Sequence, residues 1–430
     1  MDEAAYATVS SMFTLGGFFG ALAAGPLSSR YGRRPSMRLA AIFYTAGSLV
    51  ATFSPVAPLM SFGRFLGGVA AGSSTVIVPL YISEIAPPDE KGTFGSMTQV
   101  SINVGILAAQ TLGYFLSHGI MWRWILAVGA CIGAAQGLGS IVIAESPAWL
   151  AAHNLPKAKR TLQRIRGKGY DITPEVESWG PCSRAAASEP TEEARLLDYQ
   201  ANGGPPPEEE PSKPRHMGFI DVVKDPQCRP AIIAVIGVMC AQQACGINSI
   251  VMYSVSLLAD LLPISSALLT IFISLANLIS TLVFAPLPDR LGRKTCLLLS
   301  IAGQGTSSLV LALSIVFGVK VLSAVAVLFF VAFFGVGLGP VPFILASELV
   351  GPEAVGATQS WALGASYIAT FLVAQFFPIV NRALNNAIGG AGWVYFIFSG
   401  LAVFSAIFVS WKVPETKDKK DLDEVWKRNS

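Results

Sequence analysis

The sequence predicts an all-α membrane protein built from two helical bundles. Of its 430 residues, 52% are hydrophobic and only 13% are charged, whereas soluble domains carry about 25% charged residues. Eleven apolar runs have the length of a membrane span, and the basic residues gather in connections on one side of them. So few charges could not cover a water-facing surface, so most of the surface must face lipid.

Composition also excludes several functional classes. The formal net charge of +3 is too small to suggest a nucleic-acid partner. The six cysteines stand singly and the chain has three histidines, so we expect neither a disulfide framework nor a metal site. The glycines near 335–339 lie inside an apolar run and not after a strand, so they do not form a nucleotide loop. We therefore expect no enzymatic activity and no cofactor.

The membrane spans follow from the length of the apolar runs, since a spanning helix needs about 20 apolar residues. The predicted spans are 6–28, 37–54, 58–83, 94–117, 122–144, 230–255, 265–288, 295–316, 321–346, 357–379 and 391–412. Alternate connections and the C-terminal tail carry 26 of the 30 basic residues. Basic loops stay in the cytoplasm, so we place this side inside, residue 1 outside and the C-terminus inside.

A long polar stretch separates the first five spans from the last six. We predict an N-terminal bundle at 1–147, a cytoplasmic linker at 148–228, a six-helix bundle at 229–415 and a cytoplasmic tail at 416–430. The linker should begin with short helices, the first of them a basic helix near 155–168. Its Gly-, Pro- and Glu-rich part near 203–211 cannot bury a core, so we expect disorder there.

Paired motifs recur in the same order in the two bundles. Segment 25–34 matches 285–294, segment 81–84 matches 345–348, and segment 144–147 matches 413–416. The second bundle has two helices before its basic motif, whereas the first bundle has one. We therefore expect a 6+6 architecture whose first helix is missing from this sequence, through a wrong start codon or a missed exon. A natural eleven-helix form is the alternative.

These motifs resemble those of the sugar porter family of the major facilitator superfamily, which contains the glucose facilitators and the sugar–proton symporters. The similarity covers nearly all of the chain except the linker at about 170–216. The matching segments are 63–67, 78–84, 98–100, 105–110, 145–150, 242–248, 339–342 and 413–417. The resemblance implies the major facilitator fold, and transport of a hexose-like sugar by alternating access, through facilitated diffusion or proton symport.

Amide side chains in the predicted spans are candidates for the sugar site. Amides in a membrane helix are costly unless paired, and they offer the donors and acceptors that suit sugar hydroxyls. On an unbroken helix Gln242 and Asn248 would lie about 240° apart, so they share a face only if the helix breaks, which Gly246 makes plausible. The alternative is that these amides bridge helices. The resemblance implies the following sugar-binding set: Gln99, Gln242, Gln243, Asn248, Asn277 and Phe343.

Candidate gates lie in segment 337–342 and just after the first amide cluster. Glycines and two prolines break a helix at 337–342, which indicates either a static kink or a hinge that closes over the sugar from inside. We favour the hinge, with Gly339, Pro340 and Pro342 as its residues. Tyr253 is a candidate outer gate because it follows the amide cluster in the family pattern.

Four positions depart from the pattern of the glucose facilitators. Those facilitators have Trp at the position of Phe343, Glu at Gly335, Tyr at Met252 and Asn at Ser366. The departures remove polar groups from the site or its gates. They count against glucose itself as the substrate and leave the sugar class as the expectation.

Two more polar residues lie inside predicted spans. Gln110 is three turns from Gln99 on the same helix face, where it either joins the site or packs. Arg64 lies within an apolar helix and needs a partner. In family members that couple transport to protons, this arginine position works with an Asp on the first helix, so Arg64 is the coupling candidate.

Charged residues repeat at the cytoplasmic ends of the two bundles. The expected pairs are Arg33 and Arg34 with Glu84 and Glu145, and Arg293 and Lys294 with Glu348 and Glu415. The resemblance implies a latch that joins the cytoplasmic ends of the bundles in an outward-open state, favoured by bidentate arginine–carboxylate geometry. The alternative is ordinary positive charge at the cytoplasmic side.

The expected partners are therefore a small sugar, a proton if transport is coupled, and the lipid bilayer. The protein should be an integral membrane protein of the plasma membrane, with an internal, vacuole-like membrane as the alternative. The sequence is also compatible with two other functions. One is a non-transporting sugar sensor, which would usually need a longer tail. The other is an inactive product of a truncated gene.

Overall fold

The protein is helical throughout the residues that the structure describes. The computed structural model describes residues 3–177, 179, 218–250, 265–351, 353–417, 419 and 422–426. The first bundle contains α1 (Glu3–Tyr31), α2 (Arg33–Phe53), α3 (Ala57–Ile85), α4 (Lys91–Leu116) and α5 (Trp122–Val142). The linker contains α6 (Pro147–Ala151), α7 (Leu155–Arg166), α8 (Thr173–Glu177) and α9 (Asp221–Lys224).

The second bundle begins with α10 (Arg229–Ala244), which is followed by a helical turn at 247–250. The helices that follow are α11 (Ser266–Phe284), α12 (Leu287–Leu291), α13 (Arg293–Val316), α14 (Lys320–Val336), α15 (Val341–Glu348), α16 (Val355–Ile388) and α17 (Val394–Lys412). A short helix, α18 (Leu422–Trp426), lies in the tail. The two bundles match the predicted all-α membrane architecture.

Within the described ranges, ten helices are long and apolar enough to cross a membrane. The predicted fourth span is α4, which has 26 residues but is not among those ten. Polar side chains along α4, including Gln99, Asn103 and Gln110, account for its lower hydropathy. The end of the predicted sixth span, with Met252 and Tyr253, and the Pro- and Glu-rich stretch lie outside the described residues. We retain the predicted domain boundaries as a proposal.

Glycines allow α1 and α3 to pack with their backbones in contact. A Cβ atom at Gly68 would collide with the carbonyl oxygen of Phe13, and one at Gly72 with the carbonyl oxygen of Gly17. In the opposite direction, a Cβ at Gly20 would collide with the carbonyl of Val69. Small residues at such positions let membrane helices approach closely, so this pair forms the tightly packed centre of the first bundle.

The two bundles meet most extensively along two pairs of helices, α1 with α16 and α4 with α11. The repeated basic motif adopts the same conformation in both bundles. Gly32 has φ 96° and Gly292 has φ 95°, a left-handed conformation that glycine adopts without steric cost. Each glycine ends one helix and precedes the next, so the sequence repeat is also a structural repeat.

The described part of the linker lies against the ends of the helices that are predicted to face the cytoplasm. Asn154 begins α7, where its Oδ1 accepts a hydrogen bond from the backbone N–H of Lys157 at 3.0 Å. Arg166, at the end of α7, donates to the carbonyl oxygens of Ile85 at 2.7 Å and Ala86 at 3.0 Å. The predicted basic helix is confirmed as α7, which supports the end of α3.

Candidate functional site

At the break between α14 and α15, the backbone carbonyl of Leu338 receives its hydrogen bond from the side chain of Gln242. Pro342 has no N–H, so it cannot donate to the carbonyl of Leu338 four residues earlier. Gln242 Nε2 donates to this carbonyl oxygen at 2.6 Å, and the Gln242 side chain is buried. The predicted break at 337–342 is therefore present, and Gln242 connects α10 to it.

The predicted break at Gly246 is also present. Helix α10 ends at Ala244, Gly246 has φ 91°, and a new turn begins at residue 247. The break brings Asn248 back toward the end of α10, where Asn248 Nδ2 donates to Gln243 Oε1 at 2.7 Å. Gln243 Nε2 lies 3.3 Å from Gln242 Oε1 and 3.3 Å from Ser366 Oγ. The three amides predicted from segment 242–248 thus form one hydrogen-bonded group.

The other two predicted amides come from different bundles and are joined through a third. Gln99 lies on α4 and Asn277 on α11, and both contact Asn103 of α4. Gln99 Nε2 donates to Asn103 Oδ1 at 3.1 Å, and Asn277 Nδ2 lies 3.5 Å from the same oxygen. Asn103 Nδ2 donates to Thr281 Oγ1 of α11 at 2.9 Å. A polar contact therefore crosses between the bundles at this point.

The break between α14 and α15 lies close to both amide groups. A Cβ built on Gly339 would lie 3.2 Å from Gln99 Cγ, so the backbone of the second bundle touches this side chain of the first. A Cβ on Gly335 would lie 2.9 Å from Ser280 Oγ and 3.0 Å from Thr281 Oγ1. A larger residue at position 335 would displace α11, which explains why glycine fits here.

Phe343 and Gln110 are not brought into these amide groups. Phe343 lines a small cavity between α3, α4 and α15, together with Lys91 and Glu348 of the cytoplasmic ends. Gln110 is half-buried, and its Oε1 has no hydrogen-bond partner among the described residues. Tyr253 lies outside the part of the chain that the structure describes.

The predicted cytoplasmic charge pairs are formed by Arg33 and Arg293. Arg33 Nε and Nη2 donate to the Glu84 carboxylate at 2.9 and 2.6 Å. Arg293 makes the same bidentate contact with Glu348, at 3.1 and 2.7 Å. Glu145 accepts from the backbone N–H of Arg33 at 2.9 Å, and Glu415 accepts from that of Arg293 at 2.8 Å. The charged cluster of the first bundle and that of the second bundle therefore make equivalent contacts.

The structure corrects two parts of the predicted latch. Glu145 and Glu415 accept from the backbone N–H groups of Arg34 and Lys294, whereas the side chains of these two residues donate to carbonyl oxygens of Ser140, Ile141 and Ser410. In addition, the ion pairs of Arg33 and Arg293 each join helix ends of a single bundle. Each carboxylate belongs to a helix of the same bundle as its arginine, so these ion pairs stabilise the individual bundles and do not join one bundle to the other.

Asp289 makes a contact between the bundles on the side predicted to be cytoplasmic. Its carboxylate accepts from the backbone N–H groups of Gly92 at 2.9 Å and Thr93 at 2.7 Å, and from Thr93 Oγ1 at 2.8 Å. Gly92 and Thr93 begin α4, where free N–H groups and the helix dipole favour a negative charge. Asp289 also lies 3.2 Å from Arg293 Nη2. Asp289 thus links the second cytoplasmic cluster to the first bundle.

Arg64 has no carboxylate partner in the described part of the chain. Its guanidinium carbon lies 6.0 Å from the centre of the Phe13 ring, and its buried Nε has no hydrogen-bond partner there. A guanidinium inside a membrane span without an anionic partner is costly. Arg64 therefore keeps a free donor inside the first bundle.

Two contacts of the linker were not predicted from the sequence. Arg166 forms a bidentate ion pair with Glu175 at 2.8 and 2.7 Å, and this hydrogen bond raises the pKa of Arg166 above its usual value. Phe219 stacks on Trp361 of α16 with ring centres 4.3 Å apart. The Arg166–Glu175 pair joins α7 to α8 within the linker. The Phe219–Trp361 contact ties the linker to the second bundle and joins side chains 142 positions apart in sequence.

Sequence reasoning also missed Asn103 and Thr281. The available signal was an amide inside an apolar span, four residues after Gln99 and hence on the same helix face. Thr281 lies four residues after Asn277 on α11 in the same way. Asp289 was noticed only as part of the repeated motif, because its contact with α4 requires the packing of the two bundles.

Known proteins match this chain over almost its whole length. The family model "Sugar (and other) transporter" matches residues 2–426. The "Probable metabolite transport protein YBR241C" of Saccharomyces cerevisiae is 33% identical over 429 residues, which cover 99% of this chain and 83% of that protein. The "Glucose transporter GlcP" of Staphylococcus epidermidis is 30% identical, over 97% of this chain and 86% of that protein.

A solved structure has the same fold. The proton:xylose symporter XylE bound to 6-bromo-6-deoxy-D-glucose superposes with a TM-score of 0.80 and 23% identity, covering 99% of this chain and 91% of XylE. The chain belongs to the Sugar (and other) transporter family. It is an integral membrane protein with the major facilitator fold, and the family and its neighbours are transporters.

Proposed function

We propose that this protein carries a hexose-like sugar across a membrane by alternating access. The observation that supports this proposal is the convergence of buried and half-buried amides from both bundles near the break between α14 and α15. Gln99 belongs to the first bundle, whereas Gln242, Gln243, Asn248 and Asn277 belong to the second. Transporters of this type bind substrate near the bilayer midplane beside broken helices and rock one bundle against the other.

The roles of individual residues follow from their contacts. Gln243 and Asn248 hydrogen-bond to each other and bind sugar hydroxyls with their remaining donors and acceptors. Gln242 donates a hydrogen bond to the carbonyl of Leu338 at the break. A sugar that binds this amide would therefore change a contact that positions α14 and α15. The segment containing Gly339, Pro340 and Pro342 is the hinge that closes beneath the sugar, and Phe343 follows it on the cytoplasmic side.

The protein should perform sugar counterflow when reconstituted. Liposomes containing the purified chain are loaded with an unlabelled sugar and diluted into the same labelled sugar, for a panel of hexoses and a pentose. We expect counterflow of at least one sugar, and its loss in Gln243→Ala and Asn248→Ala. The control is Thr306→Val, since Thr306 is exposed and its hydroxyl donates to the carbonyl of Ala302 on its own helix. Folded protein that neither binds nor exchanges any of these sugars would refute the proposal.

We propose Arg64 as the residue that couples transport to protons. Its buried Nε has no hydrogen-bond partner among the described residues, so a carboxylate that pairs with it in one conformation would bind a proton in the other. An imposed pH gradient should then drive sugar accumulation, and Arg64→Gln should abolish accumulation while counterflow persists. If the gradient has no effect on the unmodified protein, transport is facilitated diffusion.

A further inference from the structure

Asn103 occupies the contact between the two bundles and is almost completely buried. Its side chain is 2% exposed, and each of its polar groups has a partner. The Oδ1 atom accepts from Gln99 Nε2 at 3.1 Å and lies 3.5 Å from Asn277 Nδ2. The Nδ2 group donates to Thr281 Oγ1 at 2.9 Å. Asn103 is therefore the junction of two amides that come from opposite bundles.

This junction determines how the two neighbouring amides are oriented. A side-chain carbonyl oxygen has two lone pairs, and the oxygen of Asn103 presents them to an N–H of Gln99 and an N–H of Asn277. An amide that turned by 180° would place its own oxygen against this oxygen, which is repulsive. Asn103 thus fixes which end of each amide is the donor and which is the acceptor.

The orientation of Asn103 itself is fixed by α11. Thr281 Oγ1 donates its hydrogen to the backbone carbonyl of Asn277 at 2.8 Å, so it offers only a lone pair to Asn103. Thr281 is fully buried. The Nδ2 group of Asn103 must therefore face Thr281, which leaves Oδ1 facing the two amides. The donor and acceptor pattern is set by a chain of four side chains and one backbone carbonyl.

We propose that Asn103 is a positioning residue that sets the sugar specificity of the site by orienting Gln99 and Asn277. Epimers of a sugar differ in the direction of one hydroxyl, and a fixed donor and acceptor pattern distinguishes them. An orientable pair of amides would adapt to either epimer. This inference rests on the proposed function, because it assigns specificity to the same site.

The test measures sugar selectivity in variants of Asn103. Dissociation constants for a set of aldohexose epimers are determined for the unmodified protein, Asn103→Val, Asn103→Asp and the control Thr111→Val. Thr111 lies on the same helix, and its hydroxyl donates to the carbonyl of Leu107. We expect Asn103→Val to weaken binding of the preferred epimer about tenfold and to bring the affinities of the epimers together. Asn103→Asp keeps an acceptor for both amides and should retain more of the selectivity, and Thr111→Val should retain all of it.

A double-mutant cycle separates positioning from a purely structural role. In the Gln99→Ala background, Asn103→Val should have a smaller effect on selectivity, because one of the amides that it orients is absent. Equal weakening for every epimer, with a lower melting temperature, would overturn the inference and show that Asn103 only joins α4 to α11. Unchanged selectivity in folded Asn103→Val would also overturn it while leaving the transport proposal intact. If the unmodified protein binds no sugar, the transport proposal fails first.

Discussion

At the scale of single residues, the amides of this protein serve structure and the proposed site together. Gln242 was predicted as a sugar contact, yet its Nε2 is committed to the carbonyl of Leu338. A buried acceptor that loses its partner costs about 1–3 kcal/mol. The break between α14 and α15 can therefore exist in an apolar surrounding because a side chain from α10 replaces the missing proline N–H.

Gln242→Met should destabilise the protein, whereas the same substitution at Gln304 should not. Methionine keeps the shape of glutamine but cannot donate to Leu338, so we expect a loss of about 1–3 kcal/mol. Gln304 is also buried; its Nε2 donates to Ser300 Oγ at 3.0 Å, and its Oε1 has no partner in the described structure. Gln304→Met removes this unsatisfied acceptor and leaves no unpaired group behind, because Ser300 Oγ still donates to the carbonyl of Phe333 and accepts from the N–H of Leu338. Thermal unfolding in detergent, followed by size-exclusion chromatography, measures both. Equal melting temperatures for the two variants would contradict this account of the break.

The sequence could predict the amides but not their partners. Segment 242–248 and Gly246 indicated a broken helix with clustered amides, and the structure contains both. The link from Gln242 to Leu338 and the link from Asn103 to Thr281 join residues 96 and 178 positions apart. Such pairs depend on how helices pack, and a single sequence records only the period of each helix.

At the scale of elements, the helix positions were predictable because apolar length and basic loops determine them. The predicted span 94–117 corresponds to α4, which carries several polar groups and is not among the ten described helices that are long and apolar enough to cross a membrane. These groups face α11 and α15, where Asn103 contacts Thr281 and Gly339 approaches Gln99. Low hydropathy in α4 therefore reflects its place between the bundles.

The packing of α1 on α3 should be intolerant of side chains at its glycines. Gly72→Leu would drive a side chain into the backbone of Gly17, and the two helices would have to separate. The matched control is Gly139→Leu on α5, where a Cβ meets nothing within 4 Å. We expect Gly139→Leu to accumulate as a monodisperse species and Gly72→Leu to be lost or aggregated, as measured by size-exclusion chromatography after solubilisation. Similar yields of both variants would show that the helices can move apart freely.

At the scale of the whole molecule, the bundles are pseudo-symmetric, but the two contacts that join them at the predicted cytoplasmic side differ. On one side, Asp289 accepts three hydrogen bonds from Gly92 and Thr93 at the start of α4. On the other side the equivalent position is Ser29, and a Cβ at Gly356 would lie 2.9 Å from its hydroxyl oxygen. A nearby contact there joins the backbone N–H of Gly25 to Ser360 Oγ at 2.9 Å. A carboxylate at a helix N-terminus binds more strongly than a hydroxyl, so closure of the cytoplasmic side depends more on α4 and α12.

Asp289→Asn should therefore open the cytoplasmic side more than Ser29→Ala does. Asparagine keeps one acceptor oxygen but loses the charge and presents an NH₂ group to donors, so it cannot replace all three hydrogen bonds. A loss of about 1.5–3 kcal/mol for hydrogen bonds to a charged group would change the ratio of closed to open molecules by about tenfold or more.

Spin labels at Glu90 and Arg290, which are exposed on the two sides of this contact, report the opening as a longer distance in double electron–electron resonance. The label pair is introduced into a background without other cysteines. We expect a new long-distance population in Asp289→Asn and a distribution close to that of the unmodified protein in Ser29→Ala. Equal shifts in both variants would mean that the two contacts contribute alike, and that the difference between Asp289 and Ser29 has no consequence for the transport cycle.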